Sequence, residues 1–308
     1  MNGSIIVKGR TAVITGAAKG IGAAAAKRLS EAGMNLCLFD RDEKNLKSLA
    51  DALDSEIRLV TGDVTSLEDI ARLRDTAIND FGDIALLINN AAISHRSGPW
   101  GDPDDWRSQL EGNLLSILNV QHLFVPEMLK MDGRSAIVNL GSKQGITTPP
   151  GNNAYNVSKA GVKIVTEQLA HDLFKECGNK ITAHLLVPGY TWTPMNFPEM
   201  DEQHDEQPKG TWKAEQVIEY FIEHFSRGDF YIICPDGTVT SEIDAKRITW
   251  AYEDIIQNRP ALSRWHPDWK DKFEEFMNSS IKNASLRPVA AGKHNAIIKY
   301  EYSKLVFG

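Results

Sequence analysis

The chain has 308 residues, 42% hydrophobic and 24% charged, with a formal net charge of −7. That is enough ordinary soluble sequence for one large α/β domain with a sizeable core and an appendage. The acidic balance without a basic run argues against nucleic-acid binding, and no apolar run approaches membrane-spanning length.

Short β-branched runs alternate with longer helical patterns, the signature of βαβ units around a parallel sheet. Thr11–Thr15, Asn35–Phe39, Ile57–Thr61, Ile84–Ile88, Ala136–Leu140, Ile181–Val187 and Phe230–Cys234 read as seven strands. Their nearly continuous apolar character is that of strands covered on both faces. Helices are expected between them, among others over Ile21–Ala32, over Ser66–Asp80 with Ser66 and Asp69 as a capping pair, and over Asn153–Phe174. Right-handed crossovers then give a doubly wound sheet that takes ligands at the carboxyl ends of its strands. Trp106–Leu129 is apolar on several faces, so it must bury more than one stripe.

After the seventh strand, Pro235-Asp-Gly237 makes a turn. Ser241 then starts a helix towards Asn258, with Ile243, Ala251, Ile255 and Ile256 at helical spacing, and Asp268–Asn278 reads as a further short helix rich in aromatics. The division expected is a catalytic domain over 1–240 and a helical C-terminal extension with a tail over 241–308. From Ile281 onward the pattern is weak, which suits either a flexible tail or an arm crossing an oligomer interface. Cys37, Cys177 and Cys234 are scattered without metal-ligand spacing, which points to reduced thiols in a cytosolic protein, and no metal site is expected. The first residues, Met-Asn-Gly-Ser-Ile-Ile-Val-Lys, lack the pattern of a signal peptide, so a cytoplasmic location is expected.

Two groups of residues carry chemistry. Gly16, Gly20 and Gly22 follow the first strand and open a helix, where a tight backbone turn can approach a pyrophosphate over the helix N-terminus. Tyr155 and Lys159 stand four apart on one helix face. An adjacent ammonium favours the phenolate, bringing a tyrosine of ordinary pKa ~10 towards use as an acid/base near neutrality. A hydride carrier beside a proton shuttle means alcohol/carbonyl redox chemistry.

The turn Thr15-Gly-Ala-Ala-Lys-Gly-Ile-Gly22, Asn89-Asn-Ala-Ala92, Ser142, Tyr155-Asn-Val-Ser-Lys159 and Pro188-Gly189 with Thr193 together resemble the single-domain short-chain dehydrogenase/reductase family, over roughly residues 8–234. The resemblance implies a Rossmann-like, doubly wound, seven-stranded parallel sheet. It also implies a site in which Ser142 holds the substrate oxygen, Tyr155 passes the proton, and Lys159 binds the nicotinamide ribose and lowers the tyrosine pKa. Asn113 matches the asparagine that bends its helix and anchors a water in the proton relay. Cofactor contacts are expected from Gly16, Ala18, Lys19, Gly20, Ile21 and Gly22, from Asp40 and Arg41, and from Asp63 and Val64 at the adenine. Asn90, Ala91, Ala92, Pro188, Gly189, Thr191 and Thr193 complete the set, Thr193 at the nicotinamide carboxamide. Ala92 departs from the glycine usual there.

Asp40 can accept from the adenosine ribose hydroxyls and would repel a 2′-phosphate, which favours NAD over NADP; Lys19 and Arg41 point the other way. The stretch 195–212 corresponds to a substrate lid, here acidic through Glu199, Asp201, Glu202, Asp205 and Glu206. Gln144, Asn153, Trp192 and Met195 are candidate substrate contacts, with Phe197 and Trp212 as further apolar walls, while His95 reads as a solvated loop histidine. The expectation is an NAD(H)-dependent oxidoreductase of a neutral, moderately hydrophobic secondary alcohol or ketone, working as a homodimer or homotetramer. An NADPH-dependent ketoacyl reductase and a dinucleotide-sensing regulator without turnover are the alternatives.

Overall fold

Seven apolar runs assemble into one parallel sheet in the computed structural model, which describes residues 5–201 and 204–279. In chain order, β1 (Thr11–Thr15), α1 (Gly20–Glu31), β2 (Asn35–Asp40), α2 (Glu43–Ala50), β3 (Ile57–Thr61), α3 (Leu67–Phe81) and β4 (Leu86–Asn89) form the first half. The second half comprises α4 (Pro103–Leu110), α5 (Ser116–Lys130), β5 (Ser135–Leu140), α6 (Gln144–Thr147), α7 (Asn153–Cys177), β6 (Ile181–Val187), β7 (Thr191–Trp192), β8 (Trp212–Lys213), α8 (Ala214–Arg227) and β9 (Tyr231–Ile233). Two helices follow, α9 (Ser241–Ile256) and α10 (Lys270–Asn278). The large sheet runs β3-β2-β1-β4-β5-β6-β9, reversing between β1 and β4. Both faces are covered, as the apolar strands require. Ala24, Ala25, Leu29, Phe221 and Phe225 pack one side, and Ile70, Leu73, Val120, Phe124 and Leu173 the other.

Side-chain caps start α2, α3, α4 and α9. The Ser66 hydroxyl accepts from the Asp69 amide at 3.2 Å and caps α3. The pair is not reciprocal, because the Asp69 carboxylate turns to the Asp63 amide instead, at 2.8 Å. Between α4 and α5 the expected single helix loosens into a π-turn over Glu111–Leu115. Asn113 sits there fully buried; its amide oxygen accepts from the Ile93 N–H and its nitrogen donates to the Ile93 carbonyl and to Ser158. Pinning a helix side chain to an adjacent extended segment at both ends is a reason for the extra residue in that turn.

α9 differs from its sequence pattern. Ile255 and Ile256 are 78% and 79% exposed, and the helix is held instead by Trp250, whose ring meets Trp269, Phe273 and Phe276. The Arg259 guanidinium covers the same ring at 4.1 Å. Residues up to Asn278 belong to one compact unit, and the tail from Ile281 lies outside the described residues. Among the described residues, no helix is long and apolar enough to cross a membrane.

Phe124 is fully enclosed beneath the β1–β5 sheet face. Phe124→Ala is expected to lower unfolding stability by about 3–5 kcal/mol, read from denaturant unfolding curves.

Candidate functional site

The reversal between β1 and β4 opens a cavity of about 500 Å³. Its floor is the glycine turn. Gly16 and Gly20 adopt φ of +65° and +54°, where other residues are strained. A Cβ on Gly16 would lie 2.7 Å from Ala91 Cα, and one on Gly22 would lie 2.1 Å from the Gly16 carbonyl oxygen. Asn90 clamps this contact by donating its side-chain amide to the Thr15 and Gly16 carbonyls at 3.1 and 2.7 Å. Ala18, Lys19, Gly20 and Ile21 line the cavity, whereas Gly22 acts behind them, in the packing of the turn.

Asp40 ends β2 at the cavity rim. Its carboxylate accepts from the Ala18 amide at 2.9 Å and the Asp42 amide at 3.0 Å, which aims the group at the turn and leaves lone pairs for a ligand hydroxyl. Lys19 is not directed at Asp40; it pairs with Asp42 at 2.7 Å and, with Asn45, holds that acid down to about 2. Arg41 also lines the rim and has no ion pair among the described residues.

Ser142, at the end of β5, and Tyr155 and Lys159, on the first turns of α7, meet on the facing wall. Ser142 acts on the Tyr155 phenol, pulling its pKa down, and its hydroxyl accepts from the Gln144 amide at 3.1 Å. Lys159 is 3% exposed, lies 5.8 Å from the centre of the Tyr155 ring, and donates to the Leu140 carbonyl at 2.9 Å. The expectation that Lys159 brings the phenol towards neutrality meets a stronger opposing effect. Burial raises the Tyr155 pKa, with only Ser142 pulling it down. Burial also pushes the Lys159 ammonium down to about 8. Burial thus biases both groups towards neutrality.

Ala91, Ala92, Pro188, Gly189, Thr191, Thr193, Gln144 and Met195 complete the wall expected from sequence. Thr193 keeps a buried hydroxyl without a hydrogen-bond partner, an unmet need that a ligand amide would satisfy. Glycine cradle, Asp40 and this hydroxyl together fit a nicotinamide dinucleotide. Other expected residues are not brought to the cavity. Asp63 spends its carboxylate on Thr65, with Val64 beside it. Trp192 is buried in the short β7–β8 pairing, Asn153 takes the start of α7, and Asn113 braces the wall from behind. Trp212 packs on Tyr220 and Phe197 on Tyr190, and His95 also lies outside the lining.

Sequence reasoning missed Lys143 and Asp236. The Lys143 ammonium, adjacent to Ser142, lies 3.3 Å from Asp236 and 2.6 Å from Asp244 of α9. Burial opposes the Asp236 charge, yet the Tyr190 amide and Lys143 leave its pKa lowered. An ammonium directly after the serine was the available signal; its partners lie too far along the chain to be paired by spacing.

The Lys159 shift has a consequence for stability. Between its folded value of about 8 and its ordinary 10.5, the unfolded chain holds a proton that the folded protein has released. Folding stability therefore rises with pH across that window, by on the order of 3 kcal/mol from this group. Lys159→Met should flatten that rise, as measured by denaturant unfolding at pH 8 and pH 10.

Comparison with known proteins agrees with this geometry. The short chain dehydrogenase family model matches residues 10–204. An uncharacterized oxidoreductase of Staphylococcus epidermidis is 33% identical over 61% of this chain and 81% of that protein. The 3-oxoacyl-(acyl-carrier-protein) reductase FabG of Haemophilus influenzae is 32% identical over 64% and 80% respectively. A crystal structure of a short-chain dehydrogenase/reductase from Burkholderia phymatum in complex with NAD superposes with a TM-score of 0.72 at 29% identity, covering 82% of this chain and 96% of that one. L-Sorbose reductase from Gluconobacter frateurii, complexed with NADPH and L-sorbose, gives 0.57 at 25% identity over 62% and 73%. The chain belongs to the short-chain dehydrogenase family and is an oxidoreductase of alcohol and carbonyl groups that works with a nicotinamide cofactor.

Proposed function

We propose that the protein interconverts a secondary alcohol and a ketone with NAD(H), on a neutral and moderately hydrophobic substrate. The observation that carries this reading is the placing of Ser142, Tyr155 and buried Lys159 on one wall, across the same cavity from the glycine turn. The glycine turn would hold the pyrophosphate, Asp40 the adenosine ribose and Thr193 the carboxamide. When bound, the cofactor supplies or accepts the hydride. Ser142 holds the substrate oxygen by its hydroxyl. Tyr155 gives its phenolic proton to that oxygen in reduction and takes it back in oxidation. Lys159, when protonated, stabilises the phenolate so formed. Asn113 acts as a positioning residue that keeps α7 and the segment at Ile93 in register.

NAD is favoured because Asp40 faces the cavity while Lys19 is already engaged by Asp42. The exposed acids Glu199, Asp201, Asp205 and Glu206 border the lid and disfavour an anionic substrate or an acidic carrier protein. Leu115 at the end of the π-turn, Leu118 on α5, and Val157 and Ile164 on α7 leave apolar surface exposed, which supports a homo-oligomer built on these elements.

Tyr155→Phe should reduce turnover by about a thousandfold and leave the calorimetric affinity for NAD within about twofold. Tighter binding of NADP than NAD in the same titration, or acyl-thioester turnover with NADPH alone across a panel of ketones, alcohols and thioesters, would replace this reading with a ketoacyl reductase. Ile164→Asp should shift the protein towards monomer in light scattering, and an unchanged mass would remove α7 from the interface.

A further inference from the structure

A second concavity, of about 380 Å³, lies between α6 and the C-terminal helices and shares no lining residue with the first. Ile146 of α6, Trp250 and Ile255 of α9, and Leu262 and Trp265 beyond it form apolar walls. Arg247 and Arg264 line the same space. Neither guanidinium has a hydrogen bond or a carboxylate at ion-pair distance among the described residues, and the Arg247 Nε is buried without a partner. Arg264 rests on the rings of Trp265 and Phe273 at 4.7 and 5.2 Å.

The nearby acids are committed elsewhere. Asp254, which also lines the cavity, meets the Arg259 Nε at 3.0 Å and accepts from the Ser263 amide and hydroxyl. Asp244 is 2.6 Å from the Lys143 ammonium. Burial and the neighbouring Arg247 push the Arg264 pKa down to about 10, against the pull of Asp244. Two cations set together on an apolar floor, in a chain whose net charge is −7, carry a desolvation and repulsion cost that an anion would remove.

We propose that this cavity binds an amphipathic carboxylate, its hydrocarbon body on Trp250, Ile255, Leu262 and Trp265 and its carboxylate on Arg247 and Arg264. The guanidinium fork matches a carboxylate in shape as well as charge. A volume near the lower end of ligand pockets, which span about 300–1,000 Å³, suits a medium-chain acid better than a coenzyme-sized molecule. The site stands independently of the cofactor and substrate reading of the first cavity.

The test is calorimetric titration of the full-length protein with octanoate, 1-octanol, acetate and inorganic phosphate. Octanoate should bind saturably at one site, at least about tenfold tighter than the other three, since it alone combines chain and charge. Arg247→Gln and Arg264→Gln should each weaken octanoate about tenfold, the scale of one charged hydrogen bond. Ala251→Trp, which fills the cavity without changing charge, should abolish binding, with thermal melts confirming that each variant folds. Octanol or phosphate binding as tightly as octanoate, octanoate affinity indifferent to both arginine substitutions, retained binding in folded Ala251→Trp, or no saturable binding would each overturn the proposal. If Ala251→Trp does not fold, the two glutamine variants decide.

Discussion

The turn after β1 is pressed so closely against the turn after β4 that a Cβ on Gly16 would collide with the Ala91 backbone. Gly16 touches Ala91, Gly22 touches the carbonyl of Gly16, and the Asn90 amide stitches the two turns together. These contacts follow from the β1–β4 pairing, in which Thr15 stands beside Asn89. They bring the cofactor-side backbone to the crevice, and Asp40 is tied to the same turn through the Ala18 amide. A register slip at β1 would displace the floor of the cavity and the carboxylate at its rim together.

The opposite wall depends on burial more than on charge pairing. Tyr155 and Lys159 are both taken out of water, and this biases each towards its neutral form. Lys143, one residue from Ser142, follows the other strategy and keeps its charge company with Asp236 and Asp244. Two lysines lining one cavity are thus handled by different physics. Lys159 has a carbonyl at hydrogen-bond distance, whereas Lys143 has carboxylates that no local pattern in the sequence announces.

The strands were legible almost to the residue, because apolar β-branched runs between turn residues admit few other readings. That the glycine turn, Ser142, Tyr155 and Lys159 would line one cavity was legible from those residue types at those spacings. What escaped was mostly long-range. The turn of Asp69 towards Asp63 is a local competition for the capping position, whereas the burial of Trp192 in β7 against β8 and the exposure of Ile255 depend on neighbours some twenty residues away. The same holds for Arg247 and Arg264, which look like ordinary surface arginines until the helices beyond β9 fold back onto α6.

The pairing of Lys143 with Asp244 also bears on biosynthesis. The nascent chain can lay down β1–β6 and the glycine turn before α9 has been made, since domains fold from the N-terminus as they emerge. The loop carrying Ser142 cannot reach its final charge balance at that stage, because one of the two acids facing its lysine has not yet been translated. A chain stalled after β9 would hold this wall of the cavity with Lys143 lacking one of its counterions. Completion of α9 is therefore the step at which Lys143 gains its second counterion, after all nine strands have been made.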